Sequence, residues 1–317
     1  MNMKQPKKLF IVLAVCLTLL SGCSLPGLGG GQGNSDDDVR ITALGTSESQ
    51  VISHMLRLLI EHDTDGEIKP TLINNLGSST IQHNALVNGD ANLSGARYTG
   101  TDLTGALKED PIKDPEKAMK ATQEGFQKQY DQKFFDSYGF DNTYAFLVTK
   151  ETAEKYDLET VSDLADHSDE LALGADSSWL KREGDGYPSF KKTYGIEFDD
   201  ISSMQIGLVY DALHSGNLDV AVGYSTDGRI ASYDLKVLKD EKHFFPPYDA
   251  SAVATNDLLK AHPELEPIID KLTDQISTEE MQQLNYKVDG EGKEPAIVAE
   301  DFLKKHHYFD DKKGDNN

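Results

Sequence analysis

The sequence predicts an α/β protein of two lobes, with its final helices packing back on the first. Three observations lead there. Strand-length apolar runs alternate with helix-period segments twice along the chain, once up to Ser94 and again from Tyr144 to Gly223. A length of 317 residues suits about two domains. Both cysteines, Cys16 and Cys23, lie near the N-terminus, so no disulfide framework or thiolate metal site can form beyond them. Stability there must come from an ordinary hydrophobic core.

The elements follow in order. Lys4, Lys7 and Lys8 precede an apolar run from Leu9 to Leu20, which closes on Leu20-Ser21-Gly22-Cys23. A positive start, a short apolar stretch and small residues before a cut describe a secretory signal over residues 1–22. A cysteine directly after the cut describes a bacterial lipobox, in which the Cys23 thiol is acylated. The run falls short of the roughly 20 residues needed to cross a hydrocarbon core. The expectation is a soluble domain held by lipid at a membrane face. From Ser24 to Asp38 the chain is Gly-rich and then acidic, giving a flexible tether over residues 23–38. Residues 310–317 read as a disordered tail.

Val39 to Leu44 alternates as a strand, and Ser47-Glu48-Ser49-Gln50 fits a capping box with Ser47 as the cap. Val51, Ile52, Met55, Leu56, Leu59 and Ile60 then recur with helical spacing. A second strand, Pro70 to Asn75, leads through Gly77-Ser78-Ser79 into a second helix, and Ala91 to Ser94 reads as a third strand. This order predicts a parallel sheet wrapped by helices. The middle repeats it with runs at Tyr144–Thr149, Leu171–Gly174 and Leu218–Gly223, the last preceded by a helix from Gly207 to Ser215. The C-terminal third is mostly helical, with a capping box at Ser277-Thr278-Glu279-Glu280 and an amphipathic end from Ile297 to His307. In such folds ligands sit beyond the carboxyl ends of the strands and in clefts between lobes.

The net charge is −23, and loss of the leader's lysines would make it more negative. A phosphate backbone requires Lys and Arg, so a nucleic-acid partner is excluded. A well-solvated extracytoplasmic surface accounts for the acidity.

Four tyrosines stand out by their settings: Tyr98 in Arg97-Tyr98-Thr99-Gly100-Thr101, Tyr144 after Asp141-Asn142-Thr143, Tyr224 before Ser225-Thr226-Asp227, and Tyr248 after Pro246-Pro247. Tyr98 and Tyr224 follow predicted strands, which aims their rings into a cleft. Ring faces around one volume attract a quaternary ammonium, each contact contributing roughly 0.5–2 kcal/mol. The plain alternative is core packing, since the chain has 13 tyrosines. The helix start at Ser47 and the Gly77-Ser78-Ser79 turn could receive a carboxylate, with Thr101 adding a hydroxyl; ordinary N-capping explains the same residues. Ser178-Trp179-Leu180-Lys181 matches the S-x-x-K of penicillin-recognising enzymes, but no S-D-N or K-T-G accompanies it, Lys192-Thr193 being followed by Tyr194. No G-x-S-x-G, H-E-x-x-H or phosphate loop occurs, and the nine histidines are scattered. No metal, cofactor or catalytic group is expected.

The longer motifs carry a resemblance. They are Arg97-Tyr98-Thr99-Gly100-Thr101-Asp102-Leu103, Phe135 through Phe146, Met204 through Ala212, Tyr224-Ser225-Thr226-Asp227-Gly228-Arg229 and Phe244-Phe245-Pro246-Pro247-Tyr248. From Cys23 to Phe309 the chain resembles the substrate-binding lipoproteins of osmoprotectant ABC importers that take glycine betaine, carnitine and choline. The resemblance implies a two-lobed periplasmic-binding-protein-like fold of type II, with two crossings between lobes and the ligand in the interlobe cleft. It places lobe 1 at residues 39–140 and 246–309 and lobe 2 at residues 141–245. It further implies that Tyr98, Tyr144, Tyr224 and Tyr248 form the cage around the trimethylammonium head, and that the Thr101 hydroxyl meets the ligand carboxylate. Where relatives can offer Gln in the first strand–helix turn this chain has Leu44, so Thr46, Ser47 or a backbone N–H would serve. The implied protein is a monomeric, non-catalytic receptor at the outer face of the cytoplasmic membrane, feeding an ABC permease and its ATPase subunit. Rival expectations are a same-fold receptor for another small solute, a hydrolase using Ser178 and Lys181, and a structural surface protein.

Overall fold

The computed structural model describes residues 38–177, 179–181 and 184–310. The predicted leader, the Cys23 lipobox, the tether up to residue 37, Ser178 and the chain beyond residue 310 lie outside the described residues.

The first sheet begins with β1 (Arg40–Leu44), α1 (Ser47–Asp63), β2 (Thr71–Leu76), α2 (Ser79–Val87) and β3 (Leu93–Tyr98). It continues through α3 (Thr99–Gly105), α4 (Pro115–Tyr130) and β4 (Gln132–Phe134). The chain then crosses to a second sheet. There it forms β5 (Tyr144–Thr149), α5 (Lys150–Tyr156), a 3-10 turn (Val161–Asp166), β6 (Ala172–Asp176), α6 (Tyr187–Tyr194) and β7 (Asp200–Met204). It goes on through α7 (Ile206–His214), β8 (Val220–Tyr224), α8 (Gly228–Ser232) and β9 (Leu235–Val237). A second crossing returns it to β10 (Ala250–Thr255), followed by α9 (Asn256–Ala261), α10 (Leu265–Asp270), α11 (Thr278–Asp289) and α12 (Pro295–Lys305).

The strand orders are β2-β1-β3-β10-β4 and β7-β6-β8-β5-β9. Each sheet has three parallel strands, β2-β1-β3 or β7-β6-β8, followed by an antiparallel strand and a short edge strand. The sheets are therefore mixed, where alternation alone predicted parallel ones. The reason is topological: β5 and β10 are the first strands after a crossing. They enter from the end at which β8 and β3 leave, and must run the opposite way.

Apolar clusters cover both faces of each sheet. Val51, Ile52, Met55 and Leu56 of α1 pack with Met281 of α11 and Phe302 of α12 on one face of the first sheet, and Phe126 of α4 packs on the other. Trp179, Phe190 and Phe146 anchor one side of the second sheet, and Tyr210 and Leu213 of α7 the other.

Three further departures from expectation are local. The residue that caps α1 is Thr46, not Ser47. Its backbone is extended and its side chain accepts from Ser49 N, which makes Ser47 the first helical residue. β10 interrupts the mostly helical C-terminal third without a polar–apolar alternation to mark it, since Ala250, Ser251, Ala252, Val253 and Ala254 are all buried. β4 and β9 are three-residue edge strands, too short to show a period, and β7 (DISSM) is largely polar.

α11 does more than return to the first core. Gln282 Nε2 donates to Ser225 O at 2.7 Å and Asn285 Nδ2 to Thr226 O at 2.8 Å. A Cβ on Gly228 would fall 2.5 Å from Tyr286 N, so only glycine lets α8 approach α11 this closely. The turn after β8 is thereby fixed to a helix of the first lobe.

Candidate functional site

The two crossings run side by side where the lobes meet. Asp141 and Asp249 form an antiparallel bridge, Asn142 N donates to Tyr248 O at 3.2 Å, and Tyr248 N donates to Asp141 Oδ1 at 2.6 Å. Ser225, just after β8, ties itself in: its hydroxyl donates to Asp141 O at 2.7 Å and its N–H to Thr143 O at 2.9 Å. Burial pushes the Asp141 carboxyl up to about 7 against the lowering effect of the Tyr248 N–H, with the charges of Asp249 and Glu48 adding to the rise.

Around this belt the strand register assembles the aromatic residues. Tyr98 ends β3 and Tyr224 ends β8, the carboxyl ends of parallel strands. Tyr144 opens β5 directly opposite Tyr224, and Tyr248 lies two residues before Ala250, the partner of Tyr98. Each lobe thus contributes two tyrosines from neighbouring strands. All four line one cavity of about 450 Å³, together with Leu44, Thr46, Ser79, Thr101, Asn142 and Thr143. Tyr144 and Tyr224 sit with ring centroids 5.0 Å apart at 43°. Tyr98 and Tyr144 are buried, whereas Tyr224 is 39 % exposed.

Two glycines permit this packing. A Cβ on Gly100 would lie 2.7 Å from Pro247 O and 3.0 Å from Tyr248 Cε1, and one on Gly223 would lie 2.6 Å from the Tyr210 hydroxyl oxygen. That hydroxyl accepts from Tyr224 N at 2.7 Å, so Tyr210 holds the backbone and leaves the Tyr224 ring to the cavity.

The polar lining comes mostly from helix starts. Thr101 lies in the first turn of α3, Thr46 caps α1, and Ser79 is the first residue of α2 behind its cap Ser78. Ser47 is not in the lining; its hydroxyl donates to the Asp289 carboxylate. Leu44 does line the cavity, as an apolar wall. Asn142 and Thr143 join the lining from the first crossing, a role that their sequence setting does not signal.

Glu48 was missed altogether. It is 3 % exposed and accepts from Tyr98 Oη at 2.6 Å, Asn142 Nδ2 at 3.0 Å and Asn285 Nδ2 at 3.4 Å. Burial raises its carboxyl above the ordinary range, opposed by these hydrogen bonds and one from the Thr226 side chain. Burial and the neighbouring Glu48 push the Tyr98 phenol well up, so the ring stays neutral. A signal existed: Glu48 continues the apolar stripe of Val51, Ile52 and Met55 toward the helix start, and a carboxylate on a buried stripe must find partners.

The remaining candidates lie elsewhere. Lys181 is exposed in the turn before α6 and does not line the cavity. A depression of about 640 Å³ at the β4 edge, lined by Gln123, Gln127, Lys133, Asp136 and Asp270, contains none of the candidate ligand-binding residues. Among the described residues no group of three or more His, Cys, Asp or Glu side chains could hold a metal ion. No helix among them is long and apolar enough to cross a membrane. The tyrosine-lined cavity can receive a compact organic cation against ring faces, with hydroxyl donors for a polar tail.

Comparison with known proteins agrees with this geometry. Residues 37–305 match the model of a family described as the substrate binding domain of ABC-type glycine betaine transport systems. The chain is 57% identical over 311 residues to the carnitine transport binding protein OpuCC of Listeria monocytogenes, covering 96% of this chain and 99% of that protein. It is 35% identical over 307 residues to the ergothioneine transport permease/ergothioneine binding protein EgtU of Helicobacter pylori, covering 95% of this chain and 53% of that one. A crystal structure of a glycine betaine/carnitine/choline ABC transporter superposes with a TM-score of 0.84 at 76% identity, over 86% of this chain and 100% of that chain. Apo YehZ from Escherichia coli superposes with a TM-score of 0.77 at 20% identity, over 86% and 99% of the two chains, which is a likeness of fold.

Proposed function

This chain belongs to the family of substrate-binding domains of ABC-type glycine betaine transport systems, and on that premise we propose that it captures glycine betaine, carnitine or choline between its lobes. The observation that carries the proposal is the convergence of Tyr98 and Tyr248 from one lobe with Tyr144 and Tyr224 from the other on a single cavity. A trimethylammonium head offers no hydrogen-bond donor, so ring faces are the groups that recognise it, and hydrated Na⁺ or K⁺ finds no replacement for its water there. The neutral Thr101 hydroxyl, supported by Thr46, serves the carboxylate of a zwitterion without repelling it and still admits choline. Ser47, committed to Asp289, takes no direct part.

Because the cage draws on both lobes, a ligand that touches all four rings binds best when they close, and binding shifts the population toward that state. The closed receptor then presents its ligand to the permease and ATPase of the importer. The protein works as a monomer and catalyses nothing. Residues 1–22 form its leader, Cys23 carries lipid, and residues 23–38 tether lobe 1 (39–140 and 246–309) and lobe 2 (141–245) to the outer face of the cytoplasmic membrane. Isothermal titration of the protein with glycine betaine, carnitine and choline tests the proposal. Saturable heat with at least one is expected, and no heat or thermal shift with any of them would refute it.

A further inference from the structure

A buried carboxylate normally has a cation beside it, because an unpaired charge in a dry interior is costly. Glu48 has none: among the described residues its hydrogen-bond partners are the neutral groups Tyr98, Asn142, Asn285 and Thr226. Those partners favour the ionised form against the cost of burial. An ionised carboxylate only accepts, and hydroxyl and amide donors converge on it. Its position as the second residue of α1 adds the favourable field of a helix start. Two of the partners, Tyr98 and Asn142, also line the tyrosine cavity. Asn285 also donates to Thr226 O, in the turn that follows Tyr224. The fold therefore places a carboxyl group directly behind the cavity wall and links it to the wall by a 2.6 Å hydrogen bond.

We propose that Glu48 supplies the negative charge that the site sets against a cationic ligand head, acting through the Tyr98 hydroxyl and across the ring. Glu48 does not touch the ligand; it is a positioning and specificity residue. A phenol donating to a carboxylate has a more electron-rich ring, which strengthens its attraction for a cation on its face. The carboxylate adds a direct Coulomb attraction over a short, poorly solvated path. Ligand entry then completes an ion pair that the empty protein leaves open. The preference this creates is for charge rather than shape: it separates a trimethylammonium group from a tert-butyl group of equal size. This inference rests on the proposed cation site, and its test is arranged so that the two can fail separately.

The test compares choline with its uncharged isostere 3,3-dimethylbutan-1-ol in the full-length protein and in Glu48→Gln, which keeps the side-chain shape and removes the charge. Choline affinity is read by calorimetry, the alcohol by ligand-observed NMR at millimolar concentrations, and folding by the melting temperature. The expected result is about a tenfold loss of choline affinity or more in Glu48→Gln, with the alcohol bound alike by both proteins. Unchanged choline affinity would overturn the role of Glu48, as would an equal loss for both probes, which would mark a purely structural effect. If Glu48→Gln does not fold, Tyr98→Phe keeps the ring and cuts the link; its choline-to-alcohol preference should fall, and a preference equal to that of the unaltered protein would overturn the proposal. Failure of the unaltered protein to bind choline, glycine betaine and carnitine would instead sink the cation site itself.

Discussion

Deleting the ring of Tyr224 should weaken quaternary-ammonium binding while leaving the fold intact. The side chain is 39 % exposed, and the hydrogen bonds that fix the residue belong to its backbone, with Tyr224 N donating to the Tyr210 hydroxyl at 2.7 Å. Tyr224→Ala therefore removes a cavity wall and little else, and such a surface truncation should change stability by about 0.5 kcal/mol. The ring's contribution to binding is one cation–π contact. It is worth roughly 0.5 kcal/mol in water and about 2 kcal/mol once desolvated. Lobe closure dries the ring and places it toward the upper figure, and Tyr144 loses the ring 5.0 Å away while keeping Phe245 at 5.8 Å. At about 1.4 kcal/mol per decade, the loss should be tenfold or somewhat more. Calorimetry with glycine betaine reads it, alongside the melting temperature. Tyr224→Phe should bind nearly as well as the parent, and Tyr224→Leu, apolar but without a ring quadrupole, should fall with alanine. An unchanged affinity in Tyr224→Ala would refute the cage role of this residue. So would a Phe variant as weak as the Ala one, since that would assign the effect to the hydroxyl.

Three further outcomes are expected. Gly223→Ala puts a methyl 2.6 Å from the Tyr210 hydroxyl, an overpacking that costs about 1–3 kcal/mol; the melting temperature and the affinity should fall together, and an unaltered protein would contradict the packing described. The folded-state carboxyl of Asp141 is raised to about 7 from 3.8, so the native protein holds a proton there that the unfolded chain has released. Its stabilising effect is complete below pH 3.8 and fades as pH rises to about 7; Asp141→Asn should lose less stability than the parent over that window, and parallel curves from thermal melts would contradict it. Cys23→Ala should release the protein from membranes and abolish acylation while leaving solute affinity unchanged, as seen by fractionation and calorimetry; lost binding would contradict the separation of anchor and receptor.

The helices α1, α7 and α12 were legible because one face of each meets a core and the other meets water. β1 was legible from alternation in its sequence, and β5 and β8, buried on both faces, from apolar runs of strand length bounded by turn residues. What escaped notice had small or few side chains: β10, with its run of alanines, and the three-residue edge strands β4 and β9. The antiparallel placement of β5 and β10 escaped as well, since direction within a sheet follows from where the chain enters it. At the site, Tyr98, Tyr224, Tyr144 and Tyr248 could be found by their positions beside strand ends and prolines, and Thr101 by its place in the next turn. The helix cap lies one residue before Ser47, because Thr46 holds the extended backbone that a cap requires. Glu48 and Asn142 escaped because their roles depend on Asn285 and Tyr98, which are distant in sequence. A charge on an apolar stripe was the available clue, although its partners could be named only from the fold.

The most direct test of the central claim is a crystal structure of the protein with glycine betaine. The ligand nitrogen should lie within about 6 Å of the ring centroids of Tyr98, Tyr144, Tyr224 and Tyr248, with its carboxylate toward Thr101. A ligand seated outside this cavity, or one whose nitrogen meets the rings of a single lobe, would contradict the account.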